Sequence, residues 1–170
     1  KSFTVLVLLV AFASFSFAQK ADKSRHLITI PDKNWSLEVS LPDFSVTRNV
    51  VSSDNEGGRL DAAIESEGYM LTIMWFKTAK NVTSTDLRDL ASNALKGSPV
   101  EKDGYKHSDY KDFPMLEYLV KEFRGVTVNQ KHYNAYIAKD GVWIDVHLSK
   151  ASFKPGEEKR FFHLLDSVKF

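Results

Sequence analysis

Asp145 and His147 stand two residues apart in an apolar run, Val142 to Leu148, and Asn134, Tyr136 and His132 lie in the run before it. Side chains on a strand alternate between its two faces, so Asp145 and His147 share one face. A carboxylate beside an imidazole is the pairing that ligates a metal, or that orients a histidine as a general base. His132, Asp145 and His147 are therefore the metal candidates. Asn134, Tyr136, Trp143, Asp145 and His147 make up the candidate binding face. The structural alternative is a sheet face whose polar groups bond one another beneath a covering segment, and scattered polar residues on strands favour it.

Asp140-Gly141 separates the two runs and tolerates the positive φ angles of a two-residue hairpin turn. That turn pairs Ile137 with Ile144, Ala135 with Val146 and Tyr133 with Leu148, which makes one face of the hairpin apolar. The other face carries Asn134, Tyr136 and Ala138 beside Trp143, Asp145 and His147. Beyond the hairpin, Pro155 opens a helix with Glu157 and Glu158 in its first turn. Phe161, Leu164, Leu165 and Val168 form its apolar stripe, which predicts a helix lying on a sheet face.

The elements ahead of the hairpin must complete that sheet. His26 to Ile30 and Trp35 to Leu41 read as short strands across a Pro31-Asp32-Lys33-Asn34 turn. Phe44 to Val51 reads as a continuing edge, and Ser52 to Gly58 as a loop. Arg59 to Ser66 and Tyr69 to Thr78 form a second hairpin across Glu67-Gly68. Nearly every residue from Tyr69 to Phe76 is apolar, which predicts a central strand covered on both faces. Thr83 with Asp86 has the pattern of a capping box, followed by a stripe of Leu87, Leu90, Ala91, Ala94 and Leu95, with Gly97 and Pro99 as the stop. Val100 to Asp112 reads as a loop or exposed edge strand, and Met115 to Phe123 as another strand.

Trp143, Tyr136, Trp75 and Trp35 could form an aromatic platform for a ligand, although Trp35 and Trp75 fit better as core. Tyr105, His107 and Tyr110 have the residue types of a binding loop, although a solvated connector fits them better. Asn34-Trp35-Ser36 and Asn81-Val82-Thr83 are acceptor sequences for N-linked glycans.

Composition narrows the function. The 170 residues carry 23 Lys and Arg against 22 Asp and Glu, so there is no basic excess to hold nucleic acid. Cysteine is absent, which excludes disulfides, thiolate metal sites and cysteine nucleophiles. No phosphate-binding loop, His-Glu-x-x-His, Gly-x-Ser-x-Gly or dinucleotide fingerprint is present. Lys1, the apolar stretch Phe3 to Ala13, and the small residues Ser16 and Ala18 read as a secretory signal over 1–18 cleaved after Ala18. The stretch is shorter than the roughly 20 apolar residues of a spanning helix, so no transmembrane segment is expected after cleavage. A flexible lead-in over 19–25 and a single domain over 26–170 complete the expected organisation.

The order of these elements, with Asp140 to Leu148, a spaced Phe153 and the closing Leu165-Asp166-Ser167-Val168-Lys169-Phe170, resembles the PsbP/Mog1-like fold family over about Ser24 to Phe170. The resemblance implies an α+β fold, an antiparallel β-sheet flanked by helices as an α/β/α sandwich. Family members include an extrinsic photosystem protein, a nuclear-transport cofactor that binds a GTPase, and exported bacterial proteins of unassigned role. Their roles are accessory and protein-binding, and no functional residue motif of theirs maps onto this chain. The export signal argues against a nuclear role. The expectation is an exported, periplasmic or secreted, non-catalytic binding or accessory protein, without cofactor or nucleic acid, acting on a protein partner in the cell envelope. The alternatives are a small apolar-ligand carrier, and a metal-assisted hydrolase or lyase using Asp145 and His147.

Overall fold

The computed structural model describes residues 24–79, 81–96 and 103–170. The expected signal and most of the lead-in lie outside the described residues, as do Gly97 and Pro99. Arg25, assigned to the lead-in from sequence, already belongs to the first strand, and Ser24 Oγ lies 2.9 Å from Ser40 Oγ.

Strands β1 (Arg25–Thr29) and β2 (Ser36–Ser40) pair as a small antiparallel sheet. Seven more strands form the main sheet: β3 (Ser45–Val51), β4 (Gly57–Ile64), β5 (Tyr69–Lys77), β6 (Asp103–Tyr110), β7 (Phe113–Phe123), β8 (Val126–Lys139) and β9 (Val142–Lys150). Their order is β3-β4-β5-β9-β8-β7-β6, antiparallel throughout. The helices are α1 (Ser84–Lys96) and α2 (Lys159–Ser167), and a 3-10 turn spans Glu65–Glu67.

The final hairpin has the expected register, with Ile137 opposite Ile144, Ala135 opposite Val146 and Tyr133 opposite Leu148. Asp140 and Gly141 both take positive φ, 49° and 74°, as a tight primed turn requires. Its first strand runs further back than the apolar run implied, to Val126, because β7 supplies a long antiparallel partner. The Val100 to Asp112 region contains an edge strand, β6. Asn34 and Asn81 are both exposed.

One face of the main sheet holds the principal core. Leu71, Ile73, Trp75, Ala135, Ile144, Val146 and Leu148 lie there, closed over by Leu37 and Val39 of β2 and by Phe161, Leu164 and Leu165 of α2. Phe161, Leu164 and Leu165 are thus the buried stripe of α2 as expected, but Val168 lies past the helix end in extended backbone, and the helix starts at Lys159, not Pro155. The chain end is fastened to β2 by reciprocal backbone bonds between Glu38 and Lys169, each 3.0 Å.

On the opposite face α1 covers only part of the sheet. Its capping box forms: the Thr83 amide and hydroxyl donate to Asp86 Oδ2, at 2.9 and 2.7 Å, and the Asp86 amide donates to Thr83 Oγ1 at 3.1 Å. Leu87, Ala91 and Leu95 pack with Leu116, Tyr118, Val120 and Tyr136 of β7 and β8. Leu90, expected in the stripe, points outward and is 54% exposed. No described element covers the β3, β4 and β5 part of this face. The expectation that β5 is buried on both sides fails there: Tyr69, Leu71, Ile73 and Trp75 are buried, but Met70 is 61% exposed and Phe76 51%. The fold is thus sheet-rich α+β, with one helix on each face, a second small sheet sharing the work of α2, and half of one face left open.

Candidate functional site

Sheet register assembles the sequence-derived candidates. Asn134 lies opposite His147, Tyr136 opposite Asp145 and Ala138 opposite Trp143, while β5 places Thr72, Met74 and Phe76 on the other side of the same three residues. All of the expected binding residues share one face. That face is not open at β8, however: Asn134 and Tyr136 are each only 4% exposed, Tyr136 packing in the cluster under α1 and Asn134 bonding the Leu116 carbonyl of β7.

His132 and His147 form the closest contact of the group, with His132 Nδ1 2.9 Å from His147 Nε2. The His132 ring also stacks on Tyr118, with centroids 4.6 Å apart and planes within 9°, and Tyr118 stacks on Tyr105 at 5.6 Å. Burial, with the Arg59 charge adding to it, pushes the His147 imidazole down to about 4, so the ring is neutral at neutral pH. Burial likewise pushes the Tyr118 hydroxyl up to about 12 and Tyr136 higher still. Asn134 Nδ2 donates to the Leu116 carbonyl at 3.4 Å.

Asp145 does not orient His147. As a residue it keeps some surface, yet its Oδ1 is fully enclosed and finds no hydrogen-bond donor. Enclosure raises the carboxyl to about 7. Trp143 Nε1 is enclosed and unpaired in the same way. Among the described residues no three His, Asp or Glu side chains converge to hold a metal; His132 and His147 bond each other instead.

The proposed aromatic platform is split. Trp75 faces the principal core, Trp35 packs against that core and edge-on to Phe170, and Trp143 and Tyr136 lie on the α1 side. Tyr105, His107 and Tyr110 belong to edge strand β6; the Tyr105 ring stacks on Tyr118 but its hydroxyl is enclosed without a hydrogen-bond partner, while the other two bond distant residues. His107 Nε2 is 3.0 Å from Ser92 Oγ, and the Tyr110 hydroxyl donates to Asp166 Oδ1 at 2.9 Å. On the α2 face, a groove of about 520 Å³ runs between Pro42, Phe44, Tyr69, Arg160 and Leu164. The Tyr69 ring there is flanked by Lys150 and Arg160 at 5.3 and 5.0 Å.

Reasoning from sequence missed the open part of the face. Met70, Met74 and Phe76 project from β5, Arg59 and Asp61 from β4, and Arg48 and Val50 from β3. Arg59 Nε grips both oxygens of Asp61 at 2.8 and 2.9 Å, and Thr72 Oγ1 donates to Asp61 Oδ1 at 2.8 Å. A cavity of about 440 Å³ lies over Val50, Val51, Gly57, Arg59, Met74 and Phe76. The signal was present in the β5 sequence, but an apolar run does not say which of its faces is covered.

A seven-stranded antiparallel sheet with a two-stranded sheet and a closing helix on one side, and a single helix on the other, is an α+β arrangement of PsbP-like fold. The solution structure of cyanobacterial PsbP (CyanoP) from Synechocystis sp. PCC 6803 is similar to it with a TM-score of 0.50 and 16% identity, over 78% of this chain and 85% of that one. LpqN, involved in cell envelope biogenesis of Mycobacterium tuberculosis, gives a looser match, with a TM-score of 0.37 and 12% identity over 85% of this chain and 73% of that one. No protein-family model matches the sequence, and the comparison with curated proteins gives no match. No helix among the described residues is long and apolar enough to cross a membrane.

Proposed function

We propose that this is an exported, non-catalytic binding protein of the cell envelope that engages a protein partner through the uncovered β3–β4–β5 half of its main sheet. The observation that carries the reading is the exposure of Phe76 at 51% and Val50 at 50%, which with Met74 line one cavity on a face whose other half is covered, while Met70, 61% exposed, extends the uncovered surface at the far end of β5. Contiguous exposed apolar side chains of this size mark interaction surfaces. The leader-like 1–18 segment supports export, and the PsbP-like fold supports an accessory role by analogy only. The test is a Met70→Asp, Phe76→Asp double variant, which alters exposed side chains and should fold normally. The variant should fail to retain, from native envelope extract, a protein that the wild type retains; equal retention overturns the reading.

A second reading rests on Asp145. A carboxyl held near pH 7 is suited to acid–base chemistry at neutral pH, which favours a hydrolase or lyase using Asp145 and His147. An Asp145→Ala, His147→Ala double variant with unchanged turnover of a substrate panel and unchanged metal content removes it.

A further inference from the structure

The two outer strands of the main sheet differ. β6 carries Asp103, Lys106 and Asp109, charges that discourage another strand from pairing. β3, Ser45-Val46-Thr47-Arg48-Asn49-Val50-Val51, has Arg48 as its single charge, is exposed at all seven positions, and has no strand on its outer side among the described residues. The Ser52 amide donates to the Gly57 carbonyl at 2.8 Å. Antiparallel ladders alternate, so Val50 with Arg59 and Arg48 with Asp61 are the next hydrogen-bonded pairs, and the backbone groups of Asn49 and Val51 point away from β4.

Charge decides what can pair there. A second copy of β3, laid antiparallel so that both strands are used in full, sets Arg48 against its own counterpart, and like charges directly opposite are unfavourable. Arg48 is more than half exposed, and its Nε lies 3.6 Å from Asp61 Oδ2, a carboxylate that Arg59 and Thr72 already hold closely. It can accept a second carboxylate. The cavity over Val50, Met74 and Phe76 adjoins the same strand and is shaped for an apolar side chain.

We propose that β3 is a strand-addition site: an extended segment of the partner pairs with its outer edge, seats an apolar side chain over Val50, Met74 and Phe76, and places a carboxylate opposite Arg48. This rests on the partner-binding reading above and specifies its mode.

The test uses capped heptapeptides of alternating valine and threonine with a central glutamate, a central lysine, or the central glutamate and N-methylated alternate amides. Anisotropy and amide hydrogen exchange are the readouts. The glutamate peptide should bind and protect the Asn49 and Val51 amides. The lysine peptide should bind several-fold more weakly, with that order reversed in Arg48→Glu. N-methylation should abolish binding. Equal binding of the N-methylated peptide, equal binding of the glutamate and lysine peptides, unprotected Asn49 and Val51 amides, or no binding at millimolar glutamate peptide each overturns strand addition. Protection of those amides that rises with protein concentration and without peptide also overturns it, by assigning the edge to a second copy. The envelope-retention result for Met70→Asp, Phe76→Asp is read separately, so docking on the face can survive when strand addition fails.

Discussion

His132 Nδ1 and His147 Nε2 face each other at 2.9 Å, a single imidazole–imidazole hydrogen bond across β8 and β9. One ring donates and the other accepts, so the bond needs at least one neutral ring. Burial keeps His147 neutral down to about pH 4, against an ordinary value of 6.5. Asp145, two residues away, is displaced in the opposite sense, from 3.8 to about 7.

The two shifts give opposite pH slopes. For His147 the folded state binds fewer protons than the unfolded chain, so its contribution is complete above about 6.5 and is lost as pH falls towards about 4. For Asp145 the folded state binds more, so its contribution is complete below 3.8 and is lost as pH rises through about 7. The two nearly cancel between these limits. Asp145→Asn removes one slope and exposes the other: its Tm relative to wild type should rise steadily from about pH 4 to about pH 7. Melting curves across that range test this, and a constant difference would show that Asp145 is not titrating in the fold.

Replacing His132 by alanine leaves a His147 nitrogen enclosed without its partner and removes the ring stacked on Tyr118. The expected loss is about 1–3 kcal/mol. Urea unfolding at neutral pH measures it, and an unchanged midpoint would mean that the pair contributes nothing to stability.

Much of the fold was readable from particular residues. Asp140-Gly141 set the register of the final hairpin, and with it the pairing of Asn134 with His147 and of Tyr136 with Asp145. Thr83 with Asp86 located the start of α1. Two things were not readable. The polar face of the hairpin gives no sign that α1, some 50 residues earlier in the chain, will lie over Tyr136, because coverage is a tertiary property. Nor does the run from Tyr69 to Phe76 reveal that only its odd-numbered members are buried. An apolar strand buried on two faces and one that keeps a face for a partner have the same composition.

Gly57 and Gly58 lie opposite Phe76 and Trp75 and allow the two rings to rest on bare backbone. A Cβ at Gly58 would fall 2.3 Å from Trp75 Nε1, and Trp75 is 1% exposed with nowhere to move. A Cβ at Gly57 would meet Phe76 Cδ1 at 2.9 Å, but that ring is half exposed and free to swing outward. Gly58→Ala should therefore destabilise by about 1–3 kcal/mol, as overpacking does, and Gly57→Ala by clearly less. Equal effects in chemical denaturation would contradict the assignment of Trp75 as the immobile ring.

Thr83 holds the start of the one described helix on the open-sided face. Its hydroxyl and amide both bond Asp86, and the next residue, Ser84, accepts the Ala138 amide on its Oγ at 2.9 Å, tying the helix start to β8. Thr83→Ala should cost about 0.5–2 kcal/mol, and Thr83→Ser, which keeps the hydroxyl, much less. Because α1 covers Tyr118 and Tyr136, loosening its first turn should also speed amide exchange in β8 near Ala138 while leaving β4 and β5 unchanged. Exchange that accelerates equally across the sheet would mean that α1 does not open on its own, and that cover over Tyr118 and Tyr136 is lost only when the whole sheet unfolds.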